Sequence, residues 1–230
     1  MSWGFGRSTQ AQQERLARRA PSGPLQDYLR TPLPVPATPL AQARMLAVDI
    51  ETTGLDPVRD QILSVGFVPV DGPAITLSGA GQLLVRPSTD VGESARFHGL
   101  TDDALTAGVS LPDALAAILG ALSGRVLLAH HAAIETGFLG AACQRVYGAP
   151  VHFAVVDTMA LQFGLLSRGF DDEPPKGSLR LWAARGQYGL PHYPAHQALT
   201  DALACAELYL AQIAELQASR PLTLKAVLKS

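Results

Sequence analysis

The 230-residue sequence lacks the features by which membrane and secreted proteins are recognised. No apolar run approaches the ~20 residues that a membrane-spanning helix needs, and the N-terminus lacks the charged-then-apolar order of a secretory signal. No internal repeat is found, and the one biased tract is a proline-rich segment. We therefore expect a cytoplasmic protein that has no membrane partner.

Cysteine is scarce as well. Cys143 and Cys205 lie far apart, each within an apolar, helix-like segment. Their spacing fits neither a zinc site nor a redox pair, so we expect two buried free thiols. Such thiols suit a reducing cytoplasm.

An excess of positive charge is also missing, because the net charge of the chain is −2. Residues 1–44 carry six arginines against Glu14 and Asp27, so the rest of the chain is more acidic than the total suggests. Such a body would not attract a polyanion by its overall field. If it acts on nucleic acid, metal ions and local donors must mediate the contact.

The chain is long enough for one core, and its composition predicts three parts. Residues 1–43 are expected to form an N-terminal extension, with a short helix capped by Ser8 and an extended proline-rich linker. Residues 44–217 form the domain, and residues 218–230 form a loose C-terminal tail. The basic extension either tethers the domain to a polymerase, a repair protein or nucleic acid, or is simply disordered.

The domain is predicted to be α/β, with a mixed sheet of about five strands flanked by helices. Short connections between the first three apolar runs favour antiparallel strands. A later strand between two helical segments indicates a crossover into a parallel position. The predicted strands are MLAVDI (45–50), QILSVGFVPV (61–70), ITLSGAGQLLVRP (75–87), RVLLA (125–129) and the start of FAVVDTMALQFGLL (153–166).

The first run that suggests chemistry is MLAVDIETTGLD (45–56). Its apolar first part ends at two carboxylates, Asp49 and Glu51. Side chains two apart in a strand lie on the same face, so the two carboxylates are neighbours and repel each other. A hard divalent cation such as Mg²⁺ relieves that repulsion. Taken alone, the pair fits a solvated strand end equally well.

A second run, LLAHHAAIETGFL, passes from a buried strand into a helix whose first turns hold Glu135. That carboxylate is either an ordinary partner of the helix dipole or a ligand. The adjacent His130 and His131 are compatible with simple turn residues.

The third run, HQALTDALACAELYL, holds His196 and Asp201. These two converge best if His196 precedes a helix and Asp201 lies inside it. The small side chains of Ala198 and Ala202 would let that helix approach another element closely.

Together, the three runs resemble the motifs of the DEDDh branch of the 3′→5′ exonucleases, which contains the proofreading epsilon subunit of bacterial DNA polymerase III. The matching segments are DIETTG (49–54), HHAAIETGFL (130–139) and HQALTDA (196–202), and the resemblance extends from Met45 to Leu216. It implies a ribonuclease H-like fold. The chain departs from the family at Glu135, Ile134 and His131, where aspartate, an aromatic residue and asparagine are usual.

The resemblance also implies a catalytic mechanism. Two Mg²⁺ or Mn²⁺ ions would be held by four carboxylates, with Asp49 bridging them. Glu51 and Asp201 would face the nucleophile side, and Glu135 would belong to the outer shell of the other ion. His196 would be the general base that takes a proton from the attacking water, and the product would be a 5′-mononucleotide.

The resemblance further implies contacts with substrate. Thr52, Thr53 and Leu55 would position the terminal sugar and base, and His98 in FHGLTDDAL would reach the terminal nucleotide. The segment VVDTMAL matches a strand-to-helix junction of the family, in which we expect Asp157 to cap the helix. Thr101 is likewise expected to cap the helix after His98.

The sequence therefore predicts a metal-dependent 3′→5′ exonuclease that acts on single-stranded DNA ends. One alternative is an RNA exonuclease like oligoribonuclease or RNase T, because a few unplaced contacts decide whether a 2′-OH is accepted. Another alternative is a catalytically weak protein that binds nucleic acid or docks onto a polymerase. The glutamate at position 135, where the family has aspartate, is the one departure among the catalytic positions that supports it.

Overall fold

The structure, a computed structural model, describes residues 5–88, 101–167, 174–194, 196–218 and 220–229. The sheet has six strands, in which β1 lies between β2 and β5, and β6 pairs with the far side of β5. Both β3 and β4 pair with β2. The strands are β1 (Arg44–Thr52), β2 (Ile62–Asp71), β3 (Ala74–Ile75), β4 (Gly81–Leu84), β5 (Val126–Ala129) and β6 (Val155–Asp157).

The described helices cover both faces of the sheet. They are α1 (Phe5–Ala17), α2 (Pro24–Arg30), α3 (Asp102–Thr106), α4 (Leu111–Leu122), α5 (Ala133–Tyr147), α6 (Thr158–Leu166), α7 (Leu181–Gln187) and α8 (Ala198–Leu216). Among the helices so described, none is long and apolar enough to cross a membrane.

The strand directions agree with the predicted mixed sheet. β1 pairs antiparallel with β2, whereas β1, β5 and β6 are mutually parallel. The predicted third strand is the exception: residues 75–87 form two short strands separated by a 3-10 turn at Leu77–Gly79. Gly79 and Gly81 occupy the break, where glycine weakens a continuous strand.

Alternation along β1 divides the core into two clusters. Leu46 and Val48 point towards α4 and α5, while Met45 and Ala47 point towards α8. The same alternation places the next two residues of the second face, at 49 and 51, on the side of α8. Both thiols are buried as predicted, with Cys143 in the first cluster and Cys205 in the second.

The start of α8 lies directly on β2. A Cβ atom added to Gly66 would overlap the backbone of Ala198 and Leu199, so this position requires glycine. Ala198 and Ala202 are completely buried, which confirms that small residues permit the close approach. Because Gly66 pairs with Asp49 in the sheet, α8 begins beside the carboxyl-bearing end of β1.

The N-terminal extension differs from a disordered arm. The first helix begins already at Phe5, so Ser8 lies inside it and does not cap it. A second, unpredicted helix, α2, buries Leu25, Tyr28 and Leu29 in the first core cluster. The hydroxyl of Tyr28 donates a hydrogen bond to the carbonyl of His152 at 3.2 Å.

The expectation of a loose C-terminal tail was wrong. Leu224 is completely buried in the second core cluster, and Leu228 forms an antiparallel bridge with Val156 of β6. The backbone of Leu224 also donates a hydrogen bond to the carbonyl of Thr38 in the proline-rich segment. The periodicity of so short a segment did not reveal these long-range contacts.

The close approach at Gly66 predicts a stability effect. Gly66→Ala should lower the free energy of unfolding by about 1–3 kcal/mol, because the new methyl group meets backbone atoms that cannot rotate away. Urea denaturation measures this value. Gly140→Ala is the matched control, since a Cβ there meets nothing within 4 Å in the middle of α5. Equal stability of the two variants would contradict the packing described.

Candidate active site

The site begins at the end of β1. Asp49 and Glu51 follow Met45 and Ala47 on the face that packs against α8, and Glu51 is buried. A β-bulge between Glu51 and Thr52 ends the regular pairing with β2. The end of β1 therefore holds both carboxylates on the same face, and the bulge after Glu51 changes the direction of the chain.

Asp201 joins these two carboxylates from α8. One carboxylate oxygen each from Asp49, Glu51 and Asp201 lies within 4.8 Å of the others. Asp201 occupies the first turn of the helix and is buried. Its Oδ1 atom is buried and has no hydrogen-bond partner within the described residues, so it is oriented for a ligand from outside the protein.

Glu135 approaches from a third element. It lies in the first turn of α5 and is only 3% exposed. It is not one of the three oxygen donors within 4.8 Å, but its charge raises the pKa of Asp49. Its Oε2 atom is buried without a hydrogen-bond partner among the described residues.

The carboxylates disfavour one another's charge. Burial, together with the charges of the other three, raises the pKa of Asp49 well above its usual value. Burial and then the charge of Asp201 raise the pKa of Glu51 to about 7. Burial raises the pKa of Glu135 to about 8, and it also raises that of Asp201. Such a cluster is stable in its ionised form only next to positive charge.

Asp157 secures the turn that carries Glu135. As predicted, its side chain caps α6 by accepting the backbone N–H groups of Met159 and Ala160. It also accepts those of His131 and Ala132, at 3.0 and 3.2 Å, just before α5. One carboxylate therefore fixes the start of two helices.

Lys229, in the C-terminal segment, is a further partner of Asp157. Its Nζ atom lies 3.1 Å from the carboxylate. Burial raises the pKa of Asp157, but the hydrogen bonds from Lys229 and from the N–H of His131 outweigh it and bring the pKa below its usual value. Asp157 therefore remains ionised as a structural anion.

His196 stands immediately before α8, in the position that the sequence predicted. Its side chain is exposed, and its backbone adopts a left-handed conformation with φ of 66°. The backbone N–H donates to Oδ2 of Asp201 at 2.9 Å. The residue is therefore tied to the acidic cluster through its main chain, and its side chain is exposed.

His130 has a structural position. Its Nε2 donates to the carbonyl of Leu179, and its Nδ1 accepts from the hydroxyl of Thr158, both at 2.8 Å. Burial lowers its pKa to about 4, so the ring is neutral near neutral pH. This histidine links three segments and is not placed to exchange protons.

The residues predicted to contact substrate separate into two groups. The hydroxyl of Thr52 donates to the carbonyl of Gly54, and that of Thr53 donates to Asp60, so both stabilise the turn after β1. Leu55 is 82% exposed and lies at the tip of that turn. His98 lies outside the described residues, whereas Thr101 caps α3 as expected.

The sequence reasoning missed the residues that support the site from a distance. Lys229 comes from a segment that looked loose, and Arg185 is a fully buried cation whose partners lie on other elements. The sequence offered one signal for Arg185: it is the single charged residue of the helix LWAARGQ, which is otherwise largely uncharged and apolar.

Comparison with known proteins identifies the family. The RNase_T family model, described as Exonuclease, matches residues 46–209. The chain is 30% identical over 169 residues to the PolC-type DNA polymerase III of Thermotoga maritima. The aligned region covers 73% of this chain but only 12% of that protein. It is 29% identical over 170 residues to the DNA polymerase III subunit epsilon of Treponema pallidum. That alignment covers 73% of this chain and 75% of the subunit.

Solved structures confirm the fold. The nuclease domain of 3′hExo, a DEDDh family member bound to rAMP, superimposes with a TM-score of 0.64 at 16% identity. The match covers 78% of this chain and 96% of that domain. The predicted ribonuclease H-like architecture is thus confirmed. With the acidic cluster and the motif order, these matches show that the chain belongs to the RNase_T exonuclease family.

Proposed function

We propose that the chain removes nucleotides from the 3′ ends of single-stranded DNA with the help of two divalent cations, Mg²⁺ or Mn²⁺. The observation that carries this proposal is the convergence of Asp49, Glu51 and Asp201 within 4.8 Å, with Glu135 beside them. Hard cations prefer such oxygen donors.

The residues fit a cation on physical grounds. Asp201 and Glu135 each bury a carboxylate oxygen that no described residue satisfies. Asp49 has a raised pKa because its neighbours are also acids. Positive charge between them would relieve both costs, since buried carboxylates need partners.

In this proposal, the four carboxylates would hold the ions. Asp49 would contribute to both of them, Glu51 and Asp201 mainly to the one that serves the attacking water, and Glu135 to the other. When bound, such a pair supplies electrostatic stabilisation of the attacking and leaving oxygens. The contribution of the protein is a rigid arrangement built from β1, α5 and α8.

His196 is proposed as the general base that removes a proton from the attacking water. Histidine is the side chain that most often serves as a general base. The side chain of His196 is exposed, and its backbone N–H donates to Asp201. The nucleotide released would carry a 5′-phosphate.

Substrate contact is proposed for Leu55, Thr52, Thr53 and His98. The exposure of Leu55 in the turn that follows β1 supports its role in packing against the terminal nucleotide. The engaged hydroxyls of Thr52 and Thr53 favour a contribution through the shape of the turn.

Because the relatives are named as DNA polymerase III proteins, DNA is the favoured substrate. For the same reason, we propose that the chain associates with a polymerase or a repair protein. The 3′hExo domain bound to rAMP keeps RNA as the second candidate. The surface of α1 and α2 is the part of the N-terminal extension proposed to meet such a partner. The division of the chain at residues 43 and 217 and the cytoplasmic location stay predictions.

The first prediction concerns Asp49. Asp49→Asn should reduce hydrolysis of 5′-labelled single-stranded oligonucleotides at least ~10²-fold, the scale for losing one electrostatic stabiliser. Thermal unfolding should show an intact fold, because the replacement has the same shape and removes a repelled charge. DNA and RNA oligonucleotides with Mg²⁺, Mn²⁺ or EDTA are compared on gels, with Asp27→Asn on the exposed face of α2 as control. Full activity of Asp49→Asn would refute the assignment.

The second prediction concerns pH. The raised pKa values of Glu51, about 7, and Glu135, about 8, mean that the folded state holds these protons more tightly than the unfolded chain. Their stabilising contribution is complete below the usual glutamate pKa of about 4.3 and is lost as pH rises through 7 and 8. In EDTA, the free energy of unfolding should therefore fall between pH 5 and pH 8.

Added Mg²⁺ or Mn²⁺ should restore that stability most strongly at pH 8, because the cation binds the ionised cluster of the folded state. Glu135→Gln should make the metal-free pH dependence shallower. A metal-free stability that does not change over this range, or no effect of either ion at pH 8, would contradict the electrostatic description.

The third prediction concerns the replacement of the usual aspartate. Glu135→Asp shortens the side chain by about 1.5 Å, one carbon–carbon bond. It should retain metal-dependent hydrolysis, because the carboxylate is kept, whereas Glu135→Gln should lose at least ~10²-fold in kcat. If Glu135→Gln is as active as the unmodified chain, Glu135 is not part of the catalytic set.

A further inference from the structure

Arg185 of α7 is a charged residue with almost no solvent contact, since it is 1% exposed. Its guanidinium donates to the carbonyl of Ala204 in α8 at 2.6 Å and to that of Pro191 at 2.8 Å. A third bond, also of 2.8 Å, reaches the carboxylate of Glu207 in α8. One side chain thus joins α7, α8 and the segment between them.

The segment after Pro191 is fixed by the same group. The hydroxyl of Tyr193 donates to the other oxygen of Glu207 at 3.0 Å, and the Tyr193 ring lies 4.9 Å from the Arg185 guanidinium carbon. Trp182 stacks on His192 with ring centroids 5.4 Å apart and meets the edge of Tyr193. These residues form a partly exposed clamp around the buried Arg185.

The clamp limits how far His196 can lie from Tyr193. Three residues span at most about 10–11 Å, so His196 cannot move far from Tyr193. On its other side, the chain enters α8 at Ala198, which is completely buried against Gly66. His196 therefore lies in a short segment whose two ends, at Tyr193 and Ala198, are both held by packing. Within this segment, His196 has a left-handed backbone conformation.

We propose that Arg185, Glu207 and Tyr193 are positioning residues that set the location of His196 beside Asp201 of the acidic cluster. Arg185 orients Glu207, Glu207 holds the hydroxyl of Tyr193, and Tyr193 limits the travel of His196. The inference rests on the proposed role of His196 as the general base. It also gives a role to an ion pair whose arginine is fully buried, an arrangement that need not add stability by itself.

The test removes one hydroxyl from the clamp. Tyr193→Phe keeps the ring packing but deletes the hydrogen bond to Glu207, so we expect kcat to fall about tenfold, equivalent to about 1.4 kcal/mol, with KM unchanged. Tyr188→Phe is the matched control: it deletes the 2.7 Å bond from the Tyr188 hydroxyl to Glu215, also on α8. This control should leave kcat unchanged.

A double-mutant cycle separates positioning from general stability. In a His196→Ala background, Tyr193→Phe should cause no further loss of kcat, because the residue that it positions is already absent. Hydrogen exchange of segment 190–194 should also accelerate in Tyr193→Phe and not in Tyr188→Phe. An unchanged kcat in Tyr193→Phe, an equal loss in both backgrounds, or unchanged exchange would overturn the inference. Full activity of His196→Ala would instead refute the proposed base.

Discussion

Burial and charge repulsion within a cluster of four carboxylates are the constraint that explains much of this structure. Burial, together with the charges of Glu51, Asp201 and Glu135, disfavours the ionised form of Asp49, yet three separate elements hold these residues close together. An arrangement that costs stability persists only where the surrounding structure fixes it and a function uses it. Here the strand β1 and the first turns of α5 and α8 supply the rigidity, and the proposed metal-dependent hydrolysis would supply the use.

Each approach to the cluster depends on a specific local device. Gly66 lets α8 descend onto β2 and so brings Asp201 to Asp49. Asp157 fixes the turn before α5 and thereby presents Glu135. The family match covers residues 46–209, whereas Lys229, which supports Asp157, lies beyond it. A segment outside the matched region therefore stabilises the site.

The parts of the site that follow local periodicity could be predicted from the sequence. Alternation in β1 placed Asp49 and Glu51 together, and helix geometry placed His196 before α8 and Asp201 inside it. Contacts between distant segments could not be predicted in this way. Nothing near Arg185 in sequence indicates Glu207 or Pro191, and the burial of Leu224 depends on a core assembled from other elements. The substrate contacts of Thr52 and Thr53 were expected from resemblance, but their hydroxyls bond within the turn.

The central claim is that the acidic cluster binds divalent cations, and anomalous diffraction from crystals soaked in Mn²⁺ tests it most directly. The cluster predicts strong manganese peaks within coordination distance of carboxylate oxygens from Asp49, Glu51 and Asp201, with the second ion on the side of Glu135. The same crystals of Asp49→Asn should lose or weaken these peaks, because Asp49 is one of the proposed ligands. Manganese bound only elsewhere, or no peak at the cluster at millimolar concentration, would contradict the claim.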